Sequence, residues 1–136
     1  MTYIDQHEVQ LLQKFINMLN EESENGAIVV VEGKRDVNAL ISVGFKGNIV
    51  TLNNFRGMNR LVDSLWEKSK IILMLDMDRK GKYLTHKILM LLQYKGNNIN
   101  IFYKKTLAMI TKGKIRHIED LTIYNKYITG FNKFDL

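Results

Sequence analysis

The sequence predicts an α/β protein of three layers, a mostly parallel sheet of four strands with helices on both faces. Three observations carry this. Four short runs, AIVVVEG (27–33), NIVTL (48–52), KIILML (70–75) and NINIFY (98–103), are rich in β-branched and other apolar residues, as buried strands are. The stretches between them carry apolar residues at helical spacing. Strands that alternate with helices build right-handed βαβ units, and thus a parallel sheet covered on both sides. Strand order stays open at this point.

Residues 5–20, DQHEVQLLQKFINMLN, read as a helix with Val9, Leu12, Phe15, Ile16 and Leu19 on one face. Asp5 and Glu8 have the spacing of a capping box, and EESENG ends the helix at the Asn25-Gly26 turn. After the first strand, KRDVNALISVG (34–44) is a short helix with Val37, Leu40 and Ile41 inward and Gly44 as its stop. Residues 53–69 turn into a helix that buries Leu61, Leu65 and Trp66. Residues 80–94 form the next, with Leu84, Ile88, Leu91 and Leu92 inward and Lys95-Gly96 closing it. Phe102 and Tyr103 end the fourth strand, and like the other aromatics they read as core, with base stacking the sharper alternative. Beyond them IEDLTIYNKYI (118–128) looks helical, and the tail after Gly130 reads as loose. The organisation expected is an N-terminal helical extension (1–26), an α/β core (27–103) and a C-terminal helical segment (104–136) packed on it.

A chain of 136 residues is long enough for one domain with a real core. It has no cysteine, which excludes a disulfide framework and thiolate metal sites. No apolar run approaches the ~18 residues of a membrane span, and the first residues lack the pattern of a secretory signal, so a cytoplasmic location is expected and no membrane partner. Residues 1–33 carry one lysine against six carboxylates, and residues 34–136 carry nineteen Lys/Arg against eight. A pI near 9.5 with the positive charge in one part of the chain suits a polyanionic partner, although a solvated basic surface would look the same.

The acidic residues within this basic region are placed unevenly. Glu32 falls at the carboxyl end of the first strand, and Asp76 and Asp78 at that of the third. In open α/β sheets ligands bind outside the carboxyl ends of the strands. If the two strands are neighbours, three carboxylates converge, and a divalent cation is the natural way to keep such a cluster ionised. Hard oxygen ligands with no Cys and no His nearby favour Mg²⁺ or Mn²⁺ over Zn²⁺. Residues two apart in an extended segment point the same way, so Asp76 and Asp78 can share one site with Met77 turned inward, and Gly81 lets the backbone turn tightly into the next helix. The plainer readings are that the aspartates cap a helix and that Glu32 pairs with Lys34 or Arg35.

VVVEGKRD (29–36) and LMLDMDRKG (73–81) together resemble the two motifs of Toprim domains: a hydrophobic strand then Glu-Gly-x-x-Asp, and a hydrophobic strand then Asp-x-Asp-x-x-Gly. The family includes topoisomerases, bacterial-type primases and nucleases, and its shared chemistry is Mg²⁺-dependent phosphodiester transfer or hydrolysis. The resemblance implies Glu32 as acid/base or metal-proximal glutamate, Asp76 and Asp78 as metal ligands, Asp36 as a supporting acid, Gly33 as a point of close backbone approach and Lys34 near phosphate. It leaves no room for topoisomerase or full primase machinery, and points to small stand-alone members, of which a ribosomal-RNA maturation nuclease is the functional example. Lys34, Arg35, Arg56, Arg79, Lys80 and Lys82 would then hold a nucleic-acid backbone. In KGKIRHIEDL (112–121), Arg116 and His117 are candidates for phosphate contact. Glu119 and Asp120 either add a carboxylate for a second metal or complement a helix dipole. The expected function is Mg²⁺-dependent (or Mn²⁺-dependent) phosphodiester hydrolysis or transfer on RNA or DNA, with RNA processing favoured. The alternative is a non-catalytic nucleic-acid-binding or scaffold subunit of a larger assembly.

Overall fold

A computed structural model describes residues 3–54, 57–68, 70–92 and 98–128. The elements in chain order are α1 (Gln6–Glu24), β1 (Ala27–Val31), α2 (Lys34–Ser42), β2 (Ile49–Thr51), α3 (Met58–Leu65), β3 (Lys70–Leu73), α4 (Arg79–Leu92), β4 (Asn98–Asn100) and α5 (Phe102–Ile110). A 3₁₀ segment, Ile118–Tyr124, follows. The four strands form one parallel sheet in the order β2-β1-β3-β4. The expected α/β fold with a four-stranded sheet is therefore present, and β1 and β3 are neighbours. No helix among the described residues is long and apolar enough to cross a membrane.

Every residue of β1 is buried, and the two-residue period of a strand divides them between two cores. Ala27, Val29 and Val31 pack with Ile72 and Met74 of the β3 segment against α1, α2, α5 and the 3₁₀ segment. Ile28 and Val30 pack with Ile71, Leu73 and Leu75 against α3 and α4. This gives the sheet a helical layer on each face. Each buried Val, Ile, Leu or Met among them contributes roughly 1.5–3 kcal/mol by leaving water.

Several boundaries differ from the sequence reading, each for a local reason. The first helix runs on through EES to Glu24, because Ser23 is buried and its Oγ accepts the Asn48 N–H at 2.9 Å. The chain then reverses at Gly26, whose φ of +99° suits glycine. Asp5 caps Glu8 N–H at 2.7 Å, but Glu8 does not complete the box. Its carboxylate is 1% exposed and takes Lys114 Nζ at 2.8 and 3.0 Å and the Tyr124 hydroxyl, fastening the C-terminal segment to α1. In α2 it is Asp36, Ala39 and Leu40 that are buried, whereas Ile41 is 57% exposed. The helix is rotated so that this face meets the 3₁₀ segment. Trp66 lies one residue past the end of α3 and is 42% exposed rather than core. In α4 the inward positions are Gly81, Thr85, Ile88 and Leu92, and Leu91 is exposed. The expected Lys95-Gly96 stop, like the tail after residue 128, lies outside the described residues.

The largest correction concerns NINIFY. The strand ends at Asn100, whose Oδ1 accepts from the N–H groups of Phe102 (2.7 Å) and Tyr103 (3.2 Å) and so opens α5. An Asn side chain that satisfies two free donors of a first turn favours helix over a continued strand. Phe102 is therefore on the surface, while Tyr103 packs edge-on to Phe15 at 5.6 Å.

Candidate metal centre

Parallel pairing of β1 with β3 places Val30 opposite Leu73, so Glu32 and Asp76 leave the sheet at the same edge. The Asp76 N–H donates to Glu32 Oε2 at 3.2 Å, which closes the gap between two motifs 44 residues apart. The Glu32 side chain is 15% exposed, and Lys80 Nζ stands 3.9 Å from Oε1. Burial, then the Asp76 carboxylate, raise the Glu32 pKa to about 6. The turn after Glu32 is held by Asp36, whose Oδ2 accepts the Gly33 N–H at 3.0 Å. Asp36 is buried, which raises its pKa. Its place in the structure is to fix the backbone that aims Glu32. A Cβ on Gly33 would stand 2.8 Å from Asn53 Nδ2, the end of a side chain that can move.

Asp76 and Asp78 do face one site. Asp76 Oδ1 accepts the Ile118 N–H at 2.9 Å. Asp78 does two things at once: Oδ1 caps α4 by accepting the Gly81 N–H at 2.8 Å, and Oδ2 lies 3.2 Å from His117 Nε2. The Gly81 bond comes first among the causes that lower the Asp78 pKa, and His117 adds to it. Asp78 thus caps α4, as the plainer reading has it, while its other oxygen stands beside Asp76 and His117. Gly81 is needed for a different reason from the one expected. It lies within the first turn of α4, and a Cβ there would stand 1.8 Å from the Asp76 carbonyl oxygen, so only glycine lets the helix approach the strand end.

His117 stands beside the two aspartates. Ligand atoms of Asp76, Asp78 and His117 lie within 4.8 Å of one another. Desolvation lowers the His117 pKa, but the charges of Asp76, Asp78 and Asp120 outweigh it and the net shift is upward. Asp120 Oδ2 is 3.7 Å from His117 Nδ1, beyond hydrogen-bond distance, and acts on the ring through its charge. The segment itself is tied down by the Met77 N–H, which donates to the Arg116 carbonyl at 2.8 Å. His117 is 39 residues from Asp78 with no motif around it; the basic-then-acidic composition of 112–121 marks the stretch but not the ligand. The premise that no histidine is near is therefore overturned. Two carboxylates with one imidazole fit a divalent cation, and the imidazole removes the ground on which Zn²⁺ was disfavoured.

The other sequence candidates are distributed around this edge. Glu119 lies 3.9 Å from Arg35, an exposed pair, and is not in the three-residue group. Lys34 and Arg79 are exposed in the first turns of α2 and α4, with no side-chain ion pair among the described residues. Lys82 and Arg116 line a cavity beside the centre. Arg56 lies outside the described residues.

A parallel β2-β1-β3-β4 sheet whose first and third strands deliver a glutamate and an Asp-x-Asp pair to one edge defines the Toprim class. The chain belongs to the Toprim domain family, whose model matches residues 26–103. That superfamily is one of metal-dependent nucleic-acid enzymes. The chain is similar to a UPF0292 protein of Archaeoglobus fulgidus, with 32% identity over 115 residues, 85% of this chain and 90% of the relative. A UPF0292 protein of Methanocaldococcus jannaschii is 31% identical over 83% of this chain and 88% of its own length. Among solved structures, a protein of Aquifex aeolicus superposes with a TM-score of 0.66 at 31% identity, covering 80% of this chain and 96% of the other.

Proposed function

We propose that the protein is a divalent-metal-dependent enzyme that hydrolyses or transfers phosphodiester bonds of nucleic acid, with RNA processing as the favoured role. The observation that carries this reading is the meeting of Asp76, Asp78 and His117 beside a glutamate whose pKa is raised to about 6. Asp76, Asp78 and His117 would hold the cation, Mn²⁺ at least as readily as Mg²⁺, and a bound cation would supply Lewis-acid stabilisation to a phosphate oxygen. Glu32, its pKa raised to about 6 and so mostly ionised at neutral pH with a protonated fraction still accessible, is suited to take a proton from an attacking water or to give one to a leaving oxygen. Asp36 holds the Glu32 turn, and the Asp120 charge stands beside the His117 ring. Lys34, Arg35, Arg79 and Lys80, exposed around the same edge, would hold the phosphate backbone by charge.

The test is to incubate the protein with structured RNA and with DNA, in Mg²⁺, Mn²⁺ or EDTA. Cleavage that needs metal and is lost in Asp76→Asn, His117→Ala and Glu32→Gln is the expected result. Salt-sensitive binding without cleavage under any metal selects the scaffold reading instead. Absence of Mn²⁺ binding by calorimetry, with cleavage unchanged in all three variants, overturns the proposal.

A further inference from the structure

A cavity of about 700 Å³ lies between α4 and α5, next to the metal centre but on the other side of Met77. Its volume is in the range of small-molecule sites. Leu89, Ile101, Ala108 and Ile115 give it an apolar surface. Lys82, Lys104, Lys105 and Arg116 give it four cations, and no carboxylate lines it among the described residues. Three of these cations are exposed, as surface lysines and arginines usually are, but Lys104 is 7% exposed. Its Nζ donates to Thr85 Oγ1 at 3.0 Å, and it has no ion pair among the described residues. A buried ammonium has three protons to place and carries a desolvation cost that a neutral hydroxyl offsets only in part. Burial, with Lys105 and Lys82 nearby, pulls its pKa down. An anion reaching Lys104 would relieve all of this at once.

The cavity shares a wall with the metal centre. Met77, between the two ligand aspartates, and Arg116, adjacent to His117, both line it. We propose that the cavity is a nucleotide subsite, taking the phosphate at Lys104 and its neighbouring cations and the base against the apolar surface. This rests on the nucleic-acid reading above, which supplies a strand at the adjoining edge; the cavity itself calls for an organic anion with an apolar body.

Calorimetry in EDTA keeps the metal centre out of the measurement. Adenosine and uridine 5′-monophosphate should bind, and ribose 5-phosphate and inorganic phosphate should bind at least tenfold more weakly. Lys104→Met should weaken nucleotide binding at least tenfold. Ala108→Leu, which fills the cavity and leaves every cation in place, should weaken the nucleotides while leaving inorganic phosphate unchanged. Displacement of the mononucleotide by a short single-stranded oligonucleotide assigns the subsite to a strand; simultaneous binding assigns it to a free nucleotide. No nucleotide binding to the native protein overturns the proposal. So does phosphate binding as tightly as nucleotide with no effect of Ala108→Leu, which would mean a plain anion surface. Mn²⁺ titration of Lys104→Met tests the metal centre separately, so that failure of the cavity and failure of the centre are distinguishable.

Discussion

Replacing Glu32 by glutamine should make the metal-free protein more stable at pH 8, by about 2 kcal/mol. The magnitude follows from the shift of the Glu32 pKa from 4.5 to about 6, at about 1.36 kcal/mol per unit. At 15% exposure the side chain is sheltered enough for that conversion, and Lys80, 76% exposed at 3.9 Å, returns little. The sign follows from proton counting. Below pH 4.5 Glu32 is protonated in both states and contributes nothing. Between 4.5 and 6 the folded protein binds more protons than the unfolded chain, so stability falls as pH rises. By about pH 7, a unit above the folded pKa, the loss is essentially complete. Glutamine keeps an oxygen for the Asp76 N–H and removes the charge that Asp76 opposes. Urea unfolding of both proteins in EDTA at pH 4.5 and pH 8 measures the difference, which should be near zero at the first and about 2 kcal/mol at the second. In a thermal melt at pH 8 it is worth roughly 6 °C. A variant less stable than the native protein at pH 8, or a difference that does not change with pH, would refute the claim that this carboxylate is held at a cost.

Gly81→Ala should destabilise by about 2–3 kcal/mol and weaken Mn²⁺ binding, since a Cβ at 1.8 Å from the Asp76 carbonyl forces α4 away from the β3 end; urea midpoints and calorimetry read the two effects. Glu8→Gln should cost about 2–3 kcal/mol in chemical denaturation, because Lys114 and the Tyr124 hydroxyl lose a charged, buried acceptor. Asn100→Ala should cost about 1 kcal/mol and be detected as earlier hydrogen exchange at the Phe102 and Tyr103 amides, whose cap it removes.

What the sequence showed of this protein was what is local and periodic. Strands AIVVV and KIIL and the glutamate and aspartates just past them are each contained in a few consecutive residues, and the βαβ rule then puts both strand ends on one edge. Order within the sheet is not local, and the β1–β3 neighbourhood had to come from the structure. Helix faces were partly misread, since Ile41 and Trp66 are as hydrophobic as any core residue, and which side a short helix buries depends on what packs over it. The strand over 98–103 was misread because Asn100 acts through its side chain, which hydrophobic periodicity does not register. His117 joined the centre unseen because the contact between residues 78 and 117 depends on how the last third of the chain folds back.

That return path gives the segments outside the family match a place in the chemistry. The matched region ends at residue 103, yet Ile118 N–H holds Asp76, and His117 stands with Asp76 and Asp78 in the candidate metal group. What brings residues 117 and 118 there is a set of fastenings: Met77 to Arg116 beside the site, and Lys114 and Tyr124 to the buried Glu8 of α1 at a distance. The carboxylate of Glu8 therefore does more than stabilise a helix pair. It holds both ends of the stretch 114–124 against α1, and the histidine lies between them. Any metal affinity of the candidate centre would on this account depend on the packing of α1 against the C-terminal segment. A cation bound by Asp76, Asp78 and His117 would in turn tie that segment to the strand end, so that binding and the order of residues 114–124 reinforce each other.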